Sequence, residues 1–310
     1  MAANLYTQQE KNVYKTWILM ASFLVLIIVI GWFISLYYNS SIILYIAIGF
    51  ALFMNFFSYW FSHRVVLKLT GAKKVKRDEY FDLYNSVENL SITAGLPMPQ
   101  VYMVNDNVPN AFATGRDKNH SVVVVTSGLL KILDKVELEG VIAHELSHIG
   151  NRDILLQTVI VTLVGFITIL SDIFIRSQLY GGRRNNNSDS GKIGIFILIA
   201  GFVLMILSPI IAILIQLAIS RKREFLADAS AAMLTRYPDG LASALEKISS
   251  YSGPKMKKVS HATAHLFISD PFKSGVEKDG HLQKQSFLTK IFATHPPIKK
   301  RVDMLRGLEI

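Results

Sequence analysis

Apolar residues along this chain fall into four long runs, and the polar stretches between them carry shorter periodic patterns. Residues 17–38 and 42–61 are uncharged, and each is long enough to cross a hydrocarbon core of about 30 Å as a helix. Only Asn39, Ser40 and Ser41 separate them, which predicts an antiparallel hairpin. Trp17, Tyr37, Tyr38, Tyr59 and Trp60 belt its ends, where aromatic rings favour the membrane–water boundary. The first run is longer than the apolar core of a cleavable signal peptide, so it reads as a retained helix. The third and fourth runs cover 154–170 and 193–219, with Pro209 as a kink, and a Gly/Asn/Ser-rich loop at 176–192 joins them. Arg176, Arg183, Arg184 and Lys192 in that loop leave two readings open: these runs cross the bilayer, or they only dip into it.

The segment between the second and third runs has the polarity of a soluble domain. Over 78–94 a helical period brings Phe81, Tyr84, Val87, Leu90 and Ile92 near one face, with Gly95 as the stop. Val101–Val104, Ala111–Thr114 and Val122–Thr126 read as short strands of a small antiparallel sheet. Residues 127–133 and 135–151 return to helix.

Composition moves the whole picture toward a membrane, since 51% apolar residues and a mean hydropathy of +0.34 exceed what an ordinary soluble enzyme carries. The net charge of +10 is concentrated beside the apolar runs, as in Arg64, Lys68, Lys73, Lys74, Lys76 and Arg77. That placement favours an anionic lipid surface over nucleic acid and puts this segment, with the N-terminus, on the cytoplasmic face. Cysteine is absent, so any metal must be held by His, Asp or Glu.

The chemistry is concentrated in Val141-Ile-Ala-His-Glu-Leu-Ser-His-Ile-Gly150. On a helix, His144 and His148 stand one above the other and can reach a single metal ion. Glu145 is rotated about 100° from His144, beside the metal and not on it, in the place of a general base. A catalytic zinc site needs a third protein ligand and an open fourth position. Glu224, where the fourth run ends in Arg221-Lys-Arg-Glu-Phe-Leu-Ala-Asp228, is the candidate. Asp228, one turn further, is placed to accept the free N–H of a ligating imidazole. His295 ahead of Pro296-Pro297 is a candidate oxyanion stabiliser, or else a cap or turn residue, and Arg301 an ion-pair partner. A second histidine pair, His261 and His265, lacks an adjacent carboxylate base. Val122, Val123 and Val124 would accept an extended polypeptide by strand addition if their strand is the sheet edge, with Asn110, Ala111 and Phe112 lining the cleft. A run of valines fits a buried central strand equally well.

His144-Glu-Leu-Ser-His148 followed by Asn151, Asn110-Ala-Phe-Ala-Thr-Gly115, Glu224-Phe-Leu-Ala-Asp228 and Thr294-His-Pro-Pro-Ile-Lys-Lys-Arg301 together resemble the HtpX family of membrane-bound zinc endopeptidases, gluzincins related to the CAAX prenyl proteases. The resemblance implies an inner-membrane enzyme with a cytoplasmic active site that degrades damaged or misassembled membrane proteins under stress. It also implies one zinc ion on His144, His148 and Glu224, Glu145 as base, and Asp228 as a supporting acid. Asn151 and Arg301 are set beside them.

The expected architecture is a mainly α membrane protein with four apolar helices and a cytoplasmic α+β catalytic domain. Its order is an N-terminal segment 1–16, a hairpin 17–61, a first catalytic part 62–153, a second hairpin 154–219, and a second catalytic part 220–310. Polypeptides and the bilayer are the expected partners, and the sequence specifies no oligomeric partner. Two other functions fit parts of the pattern. A non-catalytic scaffold would close its zinc site with a fourth protein ligand, and a transporter would carry ionisable residues inside the runs, which have none.

Overall fold

The structure is a computed structural model and describes residues 5–181, 221–254, 256, 259, 263–269, 271 and 296–308. Helix α1 (Leu5–Tyr37) turns over at Asn39, whose backbone is left-handed, into α2 (Ser41–Thr70). Helix α1 thus takes in most of the polar segment 1–16, because Gln9 and Asn12 are used as side-chain contacts to a later part of the chain. Helix α2 runs well past Phe61 and stops at Gly71, whose φ of 68° lets its N–H cap the Leu67 and Lys68 carbonyls.

A four-stranded sheet follows, with β1 (Lys73–Lys74), β2 (Gln100–Val104), β3 (Ala111–Gly115) and β4 (Ser121–Thr126) in the order β1-β2-β4-β3. Strands β3 and β4 form an antiparallel hairpin, while β2 runs parallel to β4. The sheet is therefore mixed and not antiparallel. The run of valines explains why: β4 is buried along its whole length and takes the central place, with a partner on each side.

Helix α5 (Lys135–Gly150) lies against this sheet, after α3 (Phe81–Thr93) and α4 (Ser127–Ile132). A capping box starts it: Glu137 N–H donates to Asp134 Oδ1 at 3.0 Å, and Asp134 N–H to Glu137 Oε2 at 2.9 Å. Its Leu138, Val141, Ile142, Leu146 and Ile149 pack among Val101, Val123, Val125, Leu241 and Leu245 in one core. That core is closed by α7 (Arg221–Thr235), α8 (Pro238–Ser249) and α9 (Ile298–Arg306).

At Arg152, held at φ 57°, the chain bends by 83° from α5 into α6 (Asp153–Gly181). Leu155, Leu156, Val159, Ile160 and Leu163 of α6 pack against Leu19, Met20 and Phe23 of α1 and Met54 of α2. Two helices among the described residues, Gln9–Tyr37 and Ser41–Thr70, are long and apolar enough to cross a membrane. A third appears only if the bent pair of α5 and the start of α6 is counted as one, so four clear spans are not found. The third apolar run is instead half of an angled unit whose other half carries the histidines. Helix α6 also continues through Gly181, into the stretch expected to be loop. The expected fourth span, the rest of that loop, His261 and His295 lie outside the described residues.

Candidate metal centre

Helix α5 places His144 and His148 one turn apart with their Nε2 atoms 3.2 Å apart. Nitrogens 2.0–2.1 Å from a tetrahedral zinc are separated by about 3.3 Å, so the spacing fits a shared ion. Glu224, on the first turn of α7, brings Oε1 to 3.7 Å from His148 Nε2 and Oε2 to 3.9 Å from His144 Nε2. One ligand atom from each of the three residues lies within 4.8 Å of the others, and all three side chains are buried. The donor set of two imidazoles and a carboxylate is the one expected of a catalytic zinc site.

Both imidazoles are held from behind. His144 Nδ1 is 2.9 Å from Asp228 Oδ1, and His148 Nδ1 is 2.9 Å from Asp153 Oδ2. Each carboxylate accepts the Nδ1 proton, so both rings turn Nε2 toward the shared point, where a metal would replace the second proton of His148. Arg301 reaches in from α9 and is 0% exposed. Its Nε and Nη2 donate to Asp228 Oδ2 and Oδ1 at 2.8 and 2.6 Å, and its Nη1 lies 3.8 Å from Glu224 Oε2.

The charges follow from this packing. Burial lowers the His144 pKa to about 4; its bond to Asp228 opposes that, and the Arg301 cation adds to it. Burial also works against a charged His148, but Asp153, Glu224 and Glu145 outweigh it and raise that ring to about 9. Burial pushes the Glu145 carboxyl up to about 7, with the charge of His148 opposing and that of Glu224 adding. Burial would raise Asp228 as well, but Arg301 holds it below the usual carboxylate range.

The neighbourhood of Glu145 corrects one sequence expectation. The Ala113 backbone on β3 favours the charged form of Glu145, so β3 is the strand beside the site. Val122, Val123 and Val124 of β4 are paired on both sides, which ends strand addition there. Strand β3 is the edge on this side of the sheet, and Ala111 and Phe112 belong to it. The Phe112 side chain is spent in the core, 4.9 Å from the Phe267 ring in an edge-on contact. Asn110 is also fully buried: its Nδ2 donates to Ser269 O at 2.8 Å, and its Oδ1 accepts from Ala111 N and Ser269 N. Its side chain is thus a brace and not part of an open cleft. Asn151 caps α5 and offers its carbonyl to Asn12 Nδ2 at 3.0 Å. His265 is buried in a short 3-10 turn and is not one of the three residues of the cluster.

Asp153 is the residue that sequence reading missed. It stands five positions after His148, where the third apolar run opens, and was hidden by its reading as the boundary of a span. The left-handed Arg152 turns it back toward the ring.

The match to peptidase family M48 covers residues 79–309. A protease HtpX homolog from Thermoanaerobacter pseudethanolicus is 44% identical over 309 residues, with 98% of each chain covered. The homolog of that name from Pyrococcus furiosus is 47% identical over 264 residues, covering 85% of this chain and 86% of its own. Among solved structures, that of S. mikatae Ste24p aligns with 97% of this chain at a TM-score of 0.48 and 17% identity, and the chain spans 66% of that protein's own length.

Proposed function

The chain belongs to peptidase family M48 and is a metalloprotease, and from that premise we propose its reaction and its place in the cell. It is a zinc-dependent endopeptidase of the cytoplasmic membrane that removes damaged or misfolded membrane proteins. His144, His148 and Glu224 hold the ion, and Glu145 is the general base. The observation that carries this reading is the convergence of two imidazole Nε2 atoms and one carboxylate beside a buried glutamate outside the ligand group.

Zinc bound there would polarise the scissile carbonyl and acidify the attacking water. Every other step falls to the chain. The Glu145 carboxylate takes the water proton and passes it to the leaving amine, from a place beside the ligand group and not in it. Asp153 and Asp228 keep the two rings in the tautomer that points Nε2 inward.

Support for the location comes from sequence and packing together. Arg64 and Lys68 in the last turns of α2, with Lys73, Lys74, Lys76 and Arg77 just after it, support a cytoplasmic catalytic part, the side on which basic flanks are enriched. Gln9 and Asn12 of α1 bond the end of α5, so the site stands at the foot of a membrane helix, within reach of substrates that leave the bilayer. A purely structural zinc scaffold is less well supported, since among the described residues the ligand group has three members, which leaves a position for water.

The test is Glu145→Gln in detergent-purified protein, stripped with chelator and reloaded with zinc. Zinc should stay bound while cleavage of an unfolded protein stops. Undiminished proteolysis would overturn the mechanism.

A further inference from the structure

We propose that Asn12, on the first membrane helix, is a positioning residue for the metal centre, acting on His148 through Asp153. The inference rests on His148 being a metal ligand. It assigns a part in the site to a residue well outside residues 79–309, the stretch that matches the family.

The contacts form a continuous line. Asn12 Nδ2 donates to Asp153 Oδ1 at 2.6 Å and to Asn151 O at 3.0 Å, which uses both hydrogens of the amide. The other oxygen of Asp153, Oδ2, meets His148 Nδ1 at 2.9 Å. Arg223 Nε stands 3.6 Å from Asp153 Oδ1. Asn12 is 2% exposed and Asp153 0%, so water does not compete for these bonds.

A carboxylate rotates freely about its last torsion unless something holds it. Here one oxygen is pinned by Asn12, and that fixes the direction in which the other faces the imidazole. The ring orientation, and with it the aim of Nε2, depends on that direction. Asparagine is a poor choice for a buried position in a helix. It has weak helix propensity, and its amide is costly to bury unless bonded. A helix that needed only docking to α5 already has Gln9, whose Nε2 donates to Gly150 O at 2.7 Å. What Asn12 adds is the contact to Asp153. The membrane helix therefore takes part in preparing the ligand, and loosening α1 at this point should loosen the metal.

The full chain in detergent decides it. Zinc affinity is measured by competition with a chromophoric chelator for the wild type and for Asn12→Ala, Asn12→Asp, Gln9→Ala, Asp153→Ala and His148→Ala. The cobalt-loaded proteins are compared by their d–d absorption, which reads coordination geometry. Asn12→Asp keeps the size of the side chain, so it serves if the alanine variant does not fold. Both Asn12 variants should bind zinc about tenfold more weakly or worse, approaching Asp153→Ala, and should shift the cobalt bands. Gln9→Ala should keep the affinity and spectrum of the wild type. Asn12 variants that bind like the wild type overturn the inference, and so does an equal loss in Gln9→Ala, which would make the effect one of helix docking. If the wild type holds no zinc, or His148→Ala binds as tightly as the wild type, the metal site itself falls and the role of Asn12 falls with it.

Discussion

Arg301 and Asp228 meet fork to fork, with Nε 2.8 Å from Oδ2 and Nη2 2.6 Å from Oδ1, in the buried space behind His144. The last described helix is thereby tied to the metal centre. Removing one partner of such a pair strands a buried charge, which costs about 3–5 kcal/mol. Arg301→Met is expected to lower the melting midpoint strongly and to reduce bound zinc, because Asp228 then loses its fixed aim at His144. Arg301→Lys should not restore either, since an ammonium cannot reproduce the planar two-point contact. Arg306, half exposed against Glu246, is the control, and its change to Ala should be nearly neutral. Equal shifts in the midpoints of the Arg301 and Arg306 variants would contradict the assignment.

Glu145 makes the metal-free protein sensitive to pH in a definite direction. Its carboxyl is raised from 4.5 to about 7 when folded, so the folded state keeps a proton that the unfolded chain releases. Stability contributed by that proton is complete below about pH 4.5 and is lost as pH rises through about 7. The loss is on the order of 3 kcal/mol, from the size of the shift and 1.36 kcal/mol per unit. Glutamine mimics the protonated form, so Glu145→Gln should melt higher than the wild type at pH 8, and the gap should close toward pH 5. Chelator must be present, because a bound cation favours the carboxylate. Thermal unfolding at the two pH values checks it, and a gap that does not widen with pH refutes it.

Helices α5 and α8 approach through Gly140. A Cβ there would stand 2.7 Å from Leu241 N and 2.9 Å from Leu241 Cα, both backbone atoms that cannot turn aside. Gly140→Ala should force the helices apart and cost about 1–3 kcal/mol, despite the better helix propensity of alanine. At Gly49, where a Cβ meets nothing within 4 Å, the same change should be harmless. Comparison of melting midpoints separates the two.

These residues also show what could be read from the sequence and what could not. His144, His148 and Glu145 were legible because a helical period dictates their relative directions, Glu224 because it stands where the fourth apolar run ends, and Asp228 because one turn separates it from Glu224. The three main strands and the helix read over 135–151, which spans 135–150, followed from local pattern. Sheet order did not, since four successive valines suit a central strand and a covered edge alike, and only pairing decides between them. Asp153 and Asn12 were illegible for a different reason. Their roles come from an 83° bend and from contacts across 141 positions, and neither leaves a periodic trace. The count of membrane helices shared that difficulty, as an apolar run bent out of a catalytic helix has the composition of a span.

Asn110 separates a brace from a substrate contact. Its amide clips Ser269 to the start of β3 through Nδ2 to Ser269 O at 2.8 Å and Ser269 N to Oδ1 at 3.2 Å. Ile268 N–H donates to Ala111 O at 3.0 Å just beside them. Replacing Asn110 by Ala leaves buried backbone groups without partners, at about 1–3 kcal/mol for each group stranded. A brace predicts a lowered melting midpoint in Asn110→Ala, with KM for a peptide substrate little changed in the fraction that stays folded. A cleft residue predicts the reverse, a raised KM at an unchanged midpoint. Measuring both on one zinc-loaded preparation distinguishes them, and the burial of Asn110 favours the first outcome.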